Sequence, residues 1–232
     1  MATLMDYAGV WQRKLLRTPV LMDDQTTVFW LQVGQRHIDL RIPAERPQRK
    51  VNKLDEYTDQ ELKLLARAEG FSGRTVVEND LCQWRRKYDF QPPSPFRDIG
   101  RMEFEDPAVL HEFGVEQDYY ERWERLSESN GCQQAALLRV ADASGNPCRA
   151  LWLRSGRYAA LVRPRRLRLE SAGSMVQLID HLSPDRETLL AWLDMEISFG
   201  LMQAEDTWQI THSLWPFREG VMLRVPPPRQ TS

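Results

Sequence analysis

The chain has 232 residues, 42% of them hydrophobic and 28% charged, with a formal net charge of −2. That length suits two small domains, and the near-neutral balance excludes the basic footprint of a nucleic-acid-binding protein. No apolar stretch approaches the ~20 residues of a spanning helix, so neither nucleic acid nor a membrane is an expected partner.

In chain order, the N-terminal segment has no charged region followed by an apolar run, and no signal peptide is expected. The first strand opens on Gly9-Val10-Trp11. Residues 27–33 and 36–42 are rich in β-branched and aromatic side chains and flank Gly34-Gln35, a two-residue turn. Pairing outward from that turn puts Phe29, Leu31, Val33, Ile38, Leu40 and Ile42 on a core face. Val28, Trp30, Gln32, His37, Asp39 and Arg41 share the other face, which reads as mixed and solvated. A long charged loop, residues 43–57, follows; it is an exposed interaction surface or a lid. Thr58 and Glu61 stand at capping-box spacing and open a helix that Gly70 is placed to stop.

Residues 73–78 and 81–90 form a hairpin turning at Asn79-Asp80. Strict alternation gives Thr75, Val77, Cys82, Trp84, Arg86, Tyr88 and Phe90 one inward face, with Asp89 on the solvent side. Residues 99–105 and 109–113 form the next hairpin, with Arg101 opposite Glu112 and with Gly100, Met102, Phe104 and His111 on an apolar face. Residues 118–126 read as a further strand, and the polar stretch 127–134 is the domain boundary. In the second half a basic run, residues 162–170, reads as a solvated strand end rather than a phosphate track. Ser183 is placed as an N-cap with Pro184 at the first helical position. The proline-rich C-terminus, 226–232, is expected to be disordered. Cys82, Cys132 and Cys148 match neither a disulfide framework nor a zinc site, so the chain reads as cytoplasmic with reduced thiols.

The halves repeat one another. Leu15, Leu16 and Arg17 recur as Leu137, Leu138 and Arg139, and Trp30-Leu31 recurs at the same offset as Trp152-Leu153. Trp84 precedes Pro92 at the spacing at which Trp208 precedes Pro216, which aligns Arg86 with Ile210 and Tyr88 with His212. Each half is a meandering antiparallel sheet with one inserted helix. Such a sheet leaves long edges unless it closes or nearly closes into a barrel. The expected fold is mainly β: two tandem antiparallel barrel or half-barrel domains, residues 1–128 and 129–232, related by internal duplication.

Gly9-Val10-Trp11 resembles the Gly-x-Trp signature of lipocalins and other calycins, with Arg224 on the last strand as the arginine expected to pack on the tryptophan. DLRIP (39–43), DFQPP (89–93), DIGRM (98–102) and YERWERL (120–126) together resemble a family of uncharacterised bacterial proteins related to a fungal family named for contact with a casein kinase. The resemblance covers most of the first half and the two-part layout. It implies two lipocalin-like domains and carries over no catalytic residue.

An arginine among aromatics on an inward face needs a carboxylate, carbonyls or an anionic ligand. The candidate site is therefore Trp84, Arg86, Tyr88, Asp98, Met102 and His111. Arg86 either makes a structural ion pair with Asp98, stacked between Trp84 and Tyr88, or helps line a cavity for a small apolar or anionic molecule. Two other functions stay open: a protein-interaction module with filled barrels, and an enzyme using His37, Asp39 and Arg41. No hydrolase, phosphate-loop or dinucleotide motif is present, and the four histidines have no metal-ligand spacing. No cofactor is expected; haem, on His111 or His212, is the one alternative.

Overall fold

The structure is a computed structural model describing residues 2–226; the tail expected to be disordered falls outside the described residues except for Pro226. The first sheet contains β1 (Gly9–Arg17), β2 (Met22–Asp23), β3 (Thr27–Val33), β4 (Arg36–Ile42), β5 (Glu69–Glu78), β6 (Leu81–Asp89), β7 (Ile99–Asp106), β8 (Val109–Gly114) and β9 (Tyr120–Arg125). Each strand from β3 to β9 pairs antiparallel with the next, β3 pairs with β1, and β1 pairs with β9. An eight-stranded barrel results, with β2 a short flap on the far end of β1. The second sheet is an open six-stranded meander of β10 (Gln133–Ala141), β11 (Pro147–Ser155), β12 (Tyr158–Arg163), β13 (Glu196–Ala204), β14 (Thr207–Ser213) and β15 (Met222–Arg224). It curls into a half-barrel.

The strand order repeats as the aligned residues require. The Gly34 and Gly156 hairpin turns both take positive φ, +52° and +57°, and Trp30 and Trp152 both lie on the inner face of their sheets. One helix, α1 (Asp59–Leu65), joins β4 to β5. The second half departs from one helix per half: α2 (Met175–Leu182) and α3 (Arg186–Leu193) both lie between β12 and β13. Ser183 is accordingly not an N-cap. It ends α2 in the left-handed region at φ 43°, and Asp185 caps α3 by accepting from the Thr188 N–H. The capping box of α1 is present, Thr58 and Glu61 bonding reciprocally. Gly70 does not stop that helix. It already lies in β5 opposite Leu40, where a Cβ would stand 2.9 Å from the Asp39 carbonyl oxygen.

Both faces of the β3–β4 hairpin are buried. The face carrying Phe29, Leu31, Ile38 and Leu40 points out of the barrel into a core shared with the half-barrel and the helices. There Phe29 stacks on Phe199 with centroids 4.2 Å apart. The face expected to be solvated is the barrel interior, with His37 fully buried and Asp39 2% exposed. Alternation alone cannot separate a solvated face from the lumen of a closed barrel, and here closure decides it. The loop 43–57 is largely exposed but pinned at several points. Leu54 and Tyr57 are buried, Arg46 reaches Glu219 at 2.8 Å, and Arg186 grips Asp59 and the Tyr57 carbonyl, so the loop straps the two sheets together.

Candidate functional site

Two β-bulges decide which side chains enter the barrel. In β5–β6 the register slips at Gly73, which faces Arg86 while Ser72 faces Tyr88, leaving Lys87 unpaired. One extra residue reverses the alternation beyond it. Arg86 and Asp89 therefore share the barrel mouth, whereas Tyr88 and Phe90 turn outward against the core shared with the second half. In β7–β8 a slip after Phe104 pairs Met102 with Glu112 and Arg101 with Phe113. The expected Arg101–Glu112 pairing is thus shifted by one residue. Glu112 is inside, and His111 is outside.

The interior polar groups form a connected set. Arg13 bonds Glu121 at 2.7 Å and Asp23 at 2.8 Å, and Arg41 bonds Asp39 at 2.8 Å and approaches Glu121 at 3.6 Å. Burial raises the Asp39 carboxyl to about 6 against the pull of Arg41. Glu112 faces Glu121 directly across the β8–β9 ladder. It accepts from the Tyr119 hydroxyl at 2.6 Å and the Trp123 indole N–H at 3.0 Å, and no cation bonds to it among the described residues. Burial first, then Glu121, pushes its pKa well above the usual carboxylate range. An acid whose protonated form burial favours, beside an ion-paired carboxylate, is an arrangement able to give and take a proton.

His37 lies deeper. Thr75 Oγ1 donates to Gln32 Oε1 at 2.8 Å, so it accepts from His37 Nδ1–H at 2.9 Å, and Nε2 is left a bare acceptor with no protein partner. Burial, aided by Arg86, depresses this imidazole to about 3, against about 6.5 in the unfolded chain. Below about pH 6.5 the unfolded chain takes up a proton that the folded chain refuses. Stability therefore falls as pH drops from about 6.5 towards about 3, by up to ~1.4 kcal/mol per unit. Asp39, raised in the folded state, contributes with the opposite sign. A His37→Gln variant retains Asp39 and is expected to lose only the histidine slope. Urea midpoints measured through that range check this, and parallel curves for the two proteins would refute the buried neutral imidazole.

A cleft of about 1040 Å³ opens at the mouth. Trp84, Arg86, Asp98, Glu112 and Glu121 line the barrel side. The facing wall is the segment after β12, with Pro164, Arg165, Leu167 and Leu169, and the turn at Gly173 and Ser174 that opens α2. Arg86 is 31% exposed at the rim, ion-paired to Asp98 at 2.8 Å and Asp89 at 2.9 Å. It lies over the Phe71 ring at 3.6 Å rather than between Trp84 and Tyr88. The structural ion pair expected for it is present and the deep burial is not.

Arg165 differs. Its Nη2 donates to the Phe90 carbonyl, its guanidinium lies 5.3 Å from the Phe90 ring centroid, and Nε and Nη1 are buried with no hydrogen-bond partner among the described residues. No carboxylate pairs with it among the described residues, and burial lowers its pKa to about 10. The basic run is thus a solvated strand end only at Arg166 and Arg168. Arg163 is fully enclosed on Asp194 at 2.6 Å, and Arg165 faces the cleft.

Of the six nominated residues, Trp84, Arg86, Tyr88 and Asp98 line the cleft. Met102 packs in the barrel core, and His111 lies outside with both ring nitrogens engaged, by Tyr120 at 2.8 Å and Glu105 at 2.9 Å. Glu112, Glu121 and Arg165 were not nominated. Glu112 needs the bulge to be visible, Glu121 shares the Trp123 face of its strand and needs only barrel closure, and Arg165 belongs to a run already singled out for its charge. Haem does not fit. No histidine lines the cleft, His111 has no free nitrogen, and His212 packs between Phe29 and Phe199 at the sheet junction. Among the described residues no group of His, Cys, Asp and Glu is arranged to hold a metal, and no helix is long and apolar enough to cross a membrane.

A closed eight-stranded antiparallel barrel backed by a half-barrel, with a charged cleft at the barrel mouth, defines the class of protein. The fold is similar to the crystal structure of the uncharacterized protein YLR301w from Saccharomyces cerevisiae, with a TM-score of 0.54 over 97% of this chain and 91% of that one at 11% identity. No family model and no curated protein matches the sequence.

Proposed function

We propose that the protein is a non-catalytic binder of a small anionic, partly apolar molecule in the cleft at the mouth of the first barrel. The observation that carries this reading is Arg165, a half-enclosed guanidinium with two unpartnered nitrogens on the wall of a 1040 Å³ cleft. A desolvated cation with no carboxylate bonded to it is costly, and an anionic group resting on it reduces that cost. Trp84, Leu167 and Leu169 supply apolar surface beside it, the mixture typical of ligand sites. The finer likeness to lipocalins belongs to the same proposal. What supports it is Trp11, whose indole N–H donates to the Tyr7 carbonyl at 2.9 Å beneath the guanidinium of Arg125 at 4.4 Å. Arg125, on the last strand of the barrel, takes the place expected for Arg224, which instead pairs with Asp206 at the surface. Kinship with the fungal casein-kinase-interacting family and a cytoplasmic location are proposed with it; three free cysteines suit a reducing compartment.

The test is ligand retention. Native mass spectrometry of protein purified from cells is expected to show a bound small molecule, and Arg165→Met to lose it. The same variant is expected to melt no lower than the parent, because it removes an unpaired buried charge; a gain of ~1 kcal/mol is the scale. Retention unchanged in Arg165→Met, or no ligand on the parent, would sink the reading.

A further inference from the structure

The edges of the two sheets are not equally protected. The first sheet closes on itself, and the far edge of the second is β15, a three-residue strand running into Val225 and Pro226. β10 is different. It is nine residues long, pairs among the described residues only with β11, and contains no proline or lysine, Arg139 being its one charge. Natural edges of this length carry such guards, and one without them is a template for a further strand. Ala136, Leu138 and Val140 turn into the half-barrel, while Ala135, Leu137 and Arg139 alternate on the exposed face, Leu137 63% exposed.

Charge says what that strand would be. Two pairs of like-charged arginines flank this edge. Arg139 stands directly opposite Arg149, and Arg36 directly opposite Arg74 beside a groove that Ala135 completes. All four are exposed, and none has a carboxylate partner among the described residues. Like charges facing one another across a ladder destabilise it, so an acidic group brought beside Arg139 on the outer edge, or into the groove beside Arg36 and Arg74, offsets that repulsion as well as pairing with the nearer arginine. We propose that the outer edge of β10 is a docking site for an extended acidic segment of another protein, added as an antiparallel strand. Its side chains beside Ala135 and Arg139 would be acidic, the one beside Leu137 apolar, and the two intervening ones apolar where they cap the open half-barrel. A second copy of this chain fits badly, because pairing β10 with itself about Leu137 would set the copy's Arg139 against Ala135, beside Arg36 and Arg74. The chain's own tail is a competing occupant that the test separates: Gln134 donates to the Pro226 carbonyl near this edge, Pro227 and Pro228 lack N–H groups, and Arg229 carries the same charge as the flanking arginines.

Fluorescence anisotropy with a labelled peptide of core Glu-Val-Leu-Val-Glu is the test, against Lys-Val-Leu-Val-Lys. The acidic peptide is expected to bind saturably and at least about tenfold more tightly than the basic one, with an affinity that falls as salt rises. Arg139→Glu and Arg36→Glu should each weaken it about tenfold, and Leu137→Pro should abolish it. Leu137→Lys, which leaves the backbone intact, guards against misfolding of the proline variant and should weaken binding as well. Deleting residues 227–232 should leave the affinity unchanged. Equal affinity for the two peptides, no binding, binding that appears only after the tail is removed, or a dimer through this edge would each overturn the proposal.

Discussion

Gly73→Ala is expected to lose about 3 kcal/mol or more, enough to leave a protein of ordinary stability mostly unfolded. A Cβ at Gly73 would overlap the Arg85 carbonyl oxygen and stand 3.0 Å from the Lys87 nitrogen, both backbone atoms of the partner strand that cannot swing aside. Relief would require the bulge to be expelled. The ladder beyond it would then shift by one residue, sending Asp89 into the apolar junction and Tyr88 into the barrel. The second half holds the same device at the same place. The β13–β14 register slips at Gly200, opposite Ile210, and a Cβ there would overlap the Gln209 carbonyl. Gly200→Ala should therefore fail in the same way. Gly34→Ala is the control: its φ is +52° but nothing lies within 4 Å, so only backbone strain of ~1 kcal/mol is at stake. Denaturant midpoints separate the cases. Equal losses at Gly34 and Gly73 would mean that the bulge is not fixed by close approach.

The paired glycines also explain what could be read in advance. The repeat is legible because Trp30/Trp152, Gly34/Gly156 and Trp84/Trp208 each do a job that depends on side-chain type: the tryptophans fill the inner cores of the two sheets and the glycines turn hairpins. The alignment of Arg86 with Ile210 follows, since both face a bulge glycine. The bulges themselves were not legible. Neither Gly73 nor Gly200 takes a positive φ, so no turn signal marks them. A single extra residue then inverts every assignment downstream, which is why strict alternation puts Tyr88 and His111 inside and Glu112 and Asp89 outside. Closure was the second hidden quantity. A hairpin covered on both faces alternates apolar and mixed residues just as a half-exposed one does, and only the β1–β9 pairing shows that His37 and Asp39 lie in a lumen. The cleft could not be read because one wall comes from residues 164–169, remote in sequence and irregular in structure.

Glu121→Gln is expected to cost about 3–5 kcal/mol, the range for stranding buried charges by removing one partner. Glu121 is 3% exposed and is shared by Arg13 and Arg41. With the amide in its place Arg13 retains Asp23 and Arg41 retains Asp39, but four carboxylate-to-guanidinium contacts become two inside a closed barrel. Arg13→Met in the same background should recover part of the loss, because it removes the cation that Glu121 chiefly served; a double-mutant cycle measures that coupling. The substitution also acts on the cleft. Glu121 is the second cause, after burial, of the raised pKa of Glu112, so removing its charge lowers the Glu112 pKa and makes that acid easier to ionise. At a pH low enough to keep Glu112 protonated, the variant has one negative charge fewer facing Arg86 and Arg165, and an anionic ligand should bind more tightly. As pH rises, Glu112 ionises in the variant before it would in the parent, and the gain should disappear. Stability near that of the parent together with unchanged anion affinity would show that the barrel's internal ion pairs neither hold the fold nor set the field at its mouth.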